Sequence, residues 1–270
     1  MKNKVTINTL LKKKKEKKKI TMLTAYDFPM SVILNEIGID IILVGDSLGM
    51  VVLGYENTLP VTVENILYHT KAVARGNINA FLVADMPFLS YKISIEEAVR
   101  NAGEMIKTGG AHGVKIEGGE EVCDIVKAII SADIPVMGHI GVTPQAVYQT
   151  GGYSLKGKDT QEAKKLINDA RELEKAGVFA IVLEKIPKET AREITESVEI
   201  PTIGIGAGAD CDGQVLVTHD LLGMFDKFTP KFSKKYIDLR SIIKVAFEEY
   251  KKDVEEQNFP GKEHTYSIDD

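Results

Sequence analysis

Eight short apolar runs recur along the chain, at residues 20–25, 41–45, 81–84, 113–116, 135–140, 179–183, 201–205 and 215–217. They are rich in Val, Ile and Leu and bounded by Gly, Pro or polar residues, which is the pattern of strands buried on both faces. Between most of them lie amphipathic segments with apolar residues at helical spacing, at 64–74, 95–108, 120–131, 161–176 and 188–197. Strands that alternate with helices build a parallel sheet, and eight such units predict an α/β fold, a (β/α)8 TIM barrel. The connection at 207–214 is too short for a full helix, which keeps a doubly wound sheet as the competing architecture. No Ser-, Pro- or Gln-rich linker interrupts the chain, so residues 1–270 read as a single domain. A Lys-rich helix at about 7–19 precedes the barrel, and a closing helix and tail at about 236–270 follow it.

Four of the apolar runs stop on an acid, namely Asp46, Asp85, Glu117 and Glu184. The exits of parallel strands are where α/β folds bind and react. A lone Asp there is explained as a loop opener or helix cap, whereas four on one rim predict a metal and acid/base site. In the fourth run, alternation puts Lys115 and Glu117 on one face and Val114 and Ile116 on the other. An inward Lys and Glu form either a structural ion pair or part of a functional site. Asp46, Asp85 and Glu117 offer oxygen alone, and the five histidines are not paired at metal-binding spacing. That donor set favours a hard divalent cation, with Mg²⁺ first and zinc or manganese as alternatives. Glu184 is either a general base or a cap for the segment beginning at Lys188. His139 is either a core histidine bonded to a carbonyl or an active-site hydrogen-bonding group. The glycines at 204, 206 and 208 imitate a dinucleotide fingerprint, but no full helix follows, and a tight rim turn needing positive φ explains them better.

Charge narrows the partners. The formal net charge of −5 argues against general nucleic-acid affinity. The seven lysines flanking Glu16 between positions 12 and 19 are the local exception. They read as a solvated helix terminus, since no aromatic residue interleaves them for base stacking. Two cysteines, Cys123 and Cys211, without metal-ligand spacing indicate a reduced cytoplasmic protein. No apolar stretch approaches a membrane span, and the N-terminus lacks the apolar core of a secretory signal.

Several motifs together resemble the ketopantoate hydroxymethyltransferase family. They include Thr24-Ala25-Tyr26-Asp27, Gly45-Asp46-Ser47-Leu48-Gly49, Thr58-Leu59-Pro60-Val61-Thr62 and Ala84-Asp85-Met86-Pro87-Phe88. Lys115-Ile116-Glu117-Gly118-Gly119, Gly138-His139-Ile140-Gly141-Val142-Thr143-Pro144-Gln145, Gly151-Gly152-Tyr153 and Asp212-Gly213-Gln214 continue the match in order. The resemblance covers nearly the whole chain and implies a barrel of the phosphoenolpyruvate-binding type. It further implies transfer of a hydroxymethyl group from 5,10-methylenetetrahydrofolate, as co-substrate, to 3-methyl-2-oxobutanoate. The product is 2-dehydropantoate, on the route to pantothenate and coenzyme A, through a Mg-stabilised enolate.

By the same match Asp46, Asp85 and Glu117 would hold Mg²⁺, and Asp46, Ser47, Asp85 and Lys115 would contact the keto acid. Glu184 would be the catalytic base; His139, on its strand-end position and not on the match, is a candidate for a supporting place behind these residues. Small-molecule keto acid and folate are then the partners, with no nucleic acid and no membrane, in a homo-oligomer that is commonly a decamer. Lys185, beside the expected base, departs from the apolar or small residue of the family. Turned inward it would hold Glu184 ionised, and turned outward it would change nothing. A Mg-dependent carbon–carbon lyase of the same barrel type is the alternative. Such lyases often place a cysteine near the site, and here neither Cys123 nor Cys211 ends a strand.

Overall fold

The computed structural model describes residues 4–225 and 230–268, in two compact units, Met1–Thr218 and His219–Asp270. In the first unit eight strands run in parallel: β1 (Ile20–Thr24), β2 (Ile41–Val44), β3 (Phe81–Asp85), β4 (Gly113–Glu117), β5 (Val136–Gly141), β6 (Ala180–Glu184), β7 (Thr202–Ile205) and β8 (Gly213–Leu216). They form one closed barrel in sequence order. Closure rests on β1 pairing with β8, from Ile20 opposite Gly213 to Leu23 opposite Leu216, and it excludes the doubly wound sheet. A Cβ on Gly213 would stand 2.5 Å from the Ile20 carbonyl oxygen, so the seam requires glycine there. The connection between β7 and β8 turns without a helix, with Gly206 at φ +65° and Gly208 at φ +86°.

Around the barrel lie α1 (Ile7–Lys15), α2 (Phe28–Ile37), α3 (Leu48–Val51), α4 (Val63–Gly76), α5 (Ile95–Lys107), α6 (Cys123–Ser131), α7 (Val147–Thr150), α8 (Thr160–Ala176) and α9 (Lys188–Ser197). The helix α2 has no counterpart among the predicted segments. Its first turn is set by the Asp27 side chain accepting from Met30 N–H and by Pro29, and Gly38 ends it at φ +78°. Strand alternation splits the buried residues into two sets. Ile42, Val44, Leu82, Ala84, Val114, Ile116, Ile181 and Leu183 pack outward with the helices. Ile41, Leu43, Phe81, Val83, Met137 and Val182 are buried but lie outside that outer core, filling the barrel.

The lysine run is not simply a solvated terminus, which corrects the sequence reading. The helix α1 stops at Lys15, short of position 19, and Lys17 takes φ +53°. Lys13 pairs with Asp40, just before β2. Lys14 pairs with Asp212, just before β8, at 3.0 Å, and donates to the carbonyls of Thr195 and Ile200 at 3.0 and 2.9 Å. Lys19 donates to the carbonyls of Ala209 and Cys211. These lysines fasten α1 across the N-terminal ends of the strands. Lys12 and Lys18 are exposed and reach Glu16, a surface arrangement of little energetic weight.

In the second unit the helix Leu239–Glu255 has no buried residue, and Ile242, Val245, Phe247, Tyr250 and Val254 are exposed on it. The last two residues of the expected tail, 269 and 270, lie outside the described residues. Among the described residues no helix is long and apolar enough to cross a membrane.

Candidate active site

Three of the four rim acids, Asp85, Glu117 and Glu184, follow from a strand pattern that runs inward, inward, acid. On β3 the inward positions are Phe81, Val83 and Asp85, and on β4 they are Gly113, Lys115 and Glu117. Register then places Asp85 beside Lys115 and Glu117 beside His139. On β6 Glu184 lies opposite Gly141. Asp46 follows β2 by two residues and comes to the same rim, its backbone N–H donating to Asp85 Oδ2 at 2.9 Å. A side chain on Gly45 would meet Asp85 Oδ2 and Ser47 Oγ, so the glycine lets these groups approach.

The predicted site residues therefore converge. Lys115 Nζ lies 2.8 Å from Asp85 Oδ1 and 3.3 Å from His139 Nδ1. His139 stands between two acids, with Nδ1 3.5 Å from Glu117 Oε1 and Nε2 3.3 Å from Glu184 Oε2. It is thus a link in the acid cluster rather than a core histidine bonded to a carbonyl. Ser47 Oγ and the Tyr26 hydroxyl are 2.8 Å apart at the edge of the group. All of Asp46, Asp85, Lys115, Glu117 and His139 are buried, while the Glu184 side chain keeps 17% of its surface.

Burial and mutual charge set the protonation states. For Asp46, burial and then the charges of Asp85 and Glu117 push the carboxyl well above the usual range. Burial disfavours the Lys115 ammonium, but Asp85, Glu117 and Asp46 outweigh it and raise its pKa. Burial and Lys115 work against a charged His139, yet the facing carboxylates of Glu117 and Glu184 win and raise it to about 9. Burial likewise opposes ionisation of Glu117, and His139, Lys115 and the Gln145 N–H outweigh it and hold its pKa below the ordinary value.

Four acids thus crowd two cationic groups, Lys115 and His139, and the excess of acid shows in the raised Asp46 carboxyl. Asp85 Oδ1 is buried and has no aligned hydrogen-bond donor, the Lys115 ammonium being near but off line. Both observations fit a hard divalent cation. Among the described residues no three His, Cys, Asp or Glu side chains form a ready-made cage. Mg²⁺ ordinarily uses one or two carboxylates and completes its shell with water and substrate oxygens, so this sparse donor set suits it.

Sequence reasoning left Lys185, Tyr91 and Gln145 without defined places. Lys185 takes φ +48°, and its ammonium donates to the Tyr153 carbonyl, with no ion pair to Glu184. The inward, base-quenching arrangement is therefore absent. Tyr91 and Gln145 are buried among the acids, Gln145 Nε2 donating to Asp46 Oδ2 at 2.9 Å. Neither residue type nor spacing marks them, because they follow strand ends by loops of different length.

A closed parallel barrel with ionisable groups gathered at the C-terminal ends of its strands is the arrangement of a TIM-barrel enzyme. Solved structures share the fold: phosphonopyruvate hydrolase, in a complex with oxalate and Mg²⁺, gives a TM-score of 0.62 at 12% identity, covering 97% of this chain and 92% of that one. 2,3-Dimethylmalate lyase, a member of the PEP mutase/isocitrate lyase superfamily, gives 0.59 at 14% identity, covering 96% and 91%. Sequence is more specific. The family model described as ketopantoate hydroxymethyltransferase matches residues 4–262. A 3-methyl-2-oxobutanoate hydroxymethyltransferase of Thermoanaerobacter sp. (strain X514) is 57% identical over 269 residues, covering 100% of this chain and 98% of that protein. The chain belongs to the ketopantoate hydroxymethyltransferase family.

Proposed function

We propose that the chain transfers a hydroxymethyl group from 5,10-methylenetetrahydrofolate to 3-methyl-2-oxobutanoate, giving 2-dehydropantoate for pantothenate and coenzyme A synthesis. The observation that carries this reading is the division of the rim into two sides joined by His139. On one side Lys115, Asp85 and Asp46 form a charged floor, and on the other Glu184 stands at the mouth.

The substrate must lose the proton on the carbon beside its ketone. Asp46 and Asp85, with Glu117 directly or through water, would hold Mg²⁺, which when bound would supply positive charge for a keto oxygen that turns negative. Lys115 offsets the negative charge of the substrate carboxylate, and Ser47 donates a hydrogen bond to the keto acid. Glu184, the least buried of the rim acids, takes the proton, and His139 holds it in place against Glu117. Water breaks the two methylene C–N bonds of methylenetetrahydrofolate, releasing tetrahydrofolate and a formaldehyde unit; the carbon left with the electron pair attacks the formaldehyde carbon, and the oxygen freed from its C=O bond takes a proton to become the new hydroxyl.

The homo-oligomer implied by the family, commonly a decamer, finds support in the exposed apolar residues of Leu239–Glu255. The cytoplasmic setting finds support in two free, buried cysteines. Neither Cys123, which donates to the Gly119 carbonyl, nor Cys211, which donates to that of Ala207, contacts a rim acid, which weighs against the lyase alternative.

A turnover assay with both co-substrates tests the whole reading. 2-Dehydropantoate is expected to form when keto acid, methylenetetrahydrofolate and Mg²⁺ are all present, and to fall to background with a chelator. Undiminished turnover in the chelator would remove the metal, and no turnover in the complete mixture would remove the function.

A further inference from the structure

We propose that Gln145, supported by Tyr91, is the positioning residue that sets the carboxylates of Asp46 and Glu117 for their cation and keto acid. This deepens the function proposed above and rests on it. Gln145 lies in the single turn Pro144–Ala146 after β5 and is 6% exposed. Its Nε2 donates to Asp46 Oδ2 at 2.9 Å and to the Met86 carbonyl at 3.0 Å. Its backbone N–H donates to Glu117 Oε2 at 3.1 Å. One residue therefore ties together the ends of β2, β3 and β4, the strands that deliver Asp46, Asp85 and Glu117.

The amide is also supported from the other side. Tyr91, fully buried, has its hydroxyl 3.0 Å from both Gln145 Oε1 and the Glu117 carbonyl, and its one proton serves one of them at a time. A reversed amide would set its oxygen against two acceptors, Asp46 Oδ2 and the Met86 carbonyl, which fixes its direction. In the fixed orientation Asp46 Oδ2 always meets a donor, and Oδ1 is the oxygen left for a ligand. Partners that orient a metal ligand in this way typically change metal affinity by about 10–100-fold when removed.

The test is a titration of the full-length protein with Mn²⁺, as a probe for Mg²⁺, without substrates and followed by the free-ion electron paramagnetic resonance signal. Gln145→Met is expected to raise the Mn²⁺ dissociation constant by about 10–100-fold, and Tyr91→Phe by about tenfold, with the number of sites per chain unchanged. A purely structural role would instead lower the number of sites and leave the constant as it was. Should Gln145→Met fail to fold, Tyr91→Phe, which removes a single oxygen, carries the test. Dissociation constants within twofold of wild type, or no Mn²⁺ bound by wild type, would overturn the inference. Turnover of the wild type, measured in parallel, separates that outcome from failure of the proposed function itself.

Discussion

Replacing Glu184 with Gln is expected to slow exchange of the C3 proton of 3-methyl-2-oxobutanoate with solvent deuterium by about 10²–10⁴-fold, the range a positioned general base contributes. Gln has the same shape and reaches His139 Nε2 from the same place, 3.3 Å away, but has no basic oxygen to receive a proton. Substrate binding, read by calorimetry, should remain measurable, because the charged floor of Lys115, Asp85 and Asp46 is untouched. Exchange at the wild-type rate in Glu184→Gln would take the base role away from this residue. The strand-end position makes the test clean, since β6 is otherwise apolar and buried through Leu183.

Lys115→Met is expected to cost both stability and activity. The side chain is buried and pairs with Asp85, and its removal leaves Asp85 without its ion-pair partner and Glu117 with His139 alone. Breaking such a buried pair typically costs about 3–5 kcal/mol, to be read from urea unfolding. The double variant Lys115→Met with Asp85→Asn should recover part of that loss, because it also deletes the uncompensated charge, but should not recover turnover. Equal stability of the single variant and the wild type would mean that solvent or another cation already balances Asp85.

The barrel and the rim follow from patterns that act over a few residues. Lys115 and Glu117 could be placed inward because strand side chains alternate and because Val114 and Ile116 needed the apolar side. Convergence of Asp46, Asp85, Glu117 and Glu184 follows from eight parallel strands closing into a ring, which puts all strand exits on one face. The helix α2 escaped because its residues are apolar nearly all round, which hides the 3.6-residue period, although Asp27, Pro29 and Gly38 mark both ends.

Gln145 escaped for a different reason. Its four partners lie on Asp46, Met86, Tyr91 and Glu117, as many as 99 residues away, and no local pattern encodes such a meeting. The lysine run shows the same limit in reverse. Charge density alone reads as a solvated surface, yet Lys14 finds Asp212 and the Ile200 carbonyl 186 residues along the chain. The acids at the two ends of the barrel also look alike in sequence. Asp40 and Asp212, at strand entrances, accept from Thr21 or Thr202 and from a lysine, and so are saturated. Asp85 at a strand exit retains a buried oxygen without an aligned donor, and this difference separates an acid that holds the fold from one suited to a ligand.

The most direct measurement follows the C3 proton of 3-methyl-2-oxobutanoate by NMR in D₂O, with wild-type and Asp46→Asn protein, with Mg²⁺ and without folate. Exchange in the wild type that stops with a chelator and is lost in Asp46→Asn is the predicted result. Exchange in Asp46→Asn at the wild-type rate, or exchange that ignores the chelator, would contradict a rim in which strand-end carboxylates and a divalent cation act on one proton.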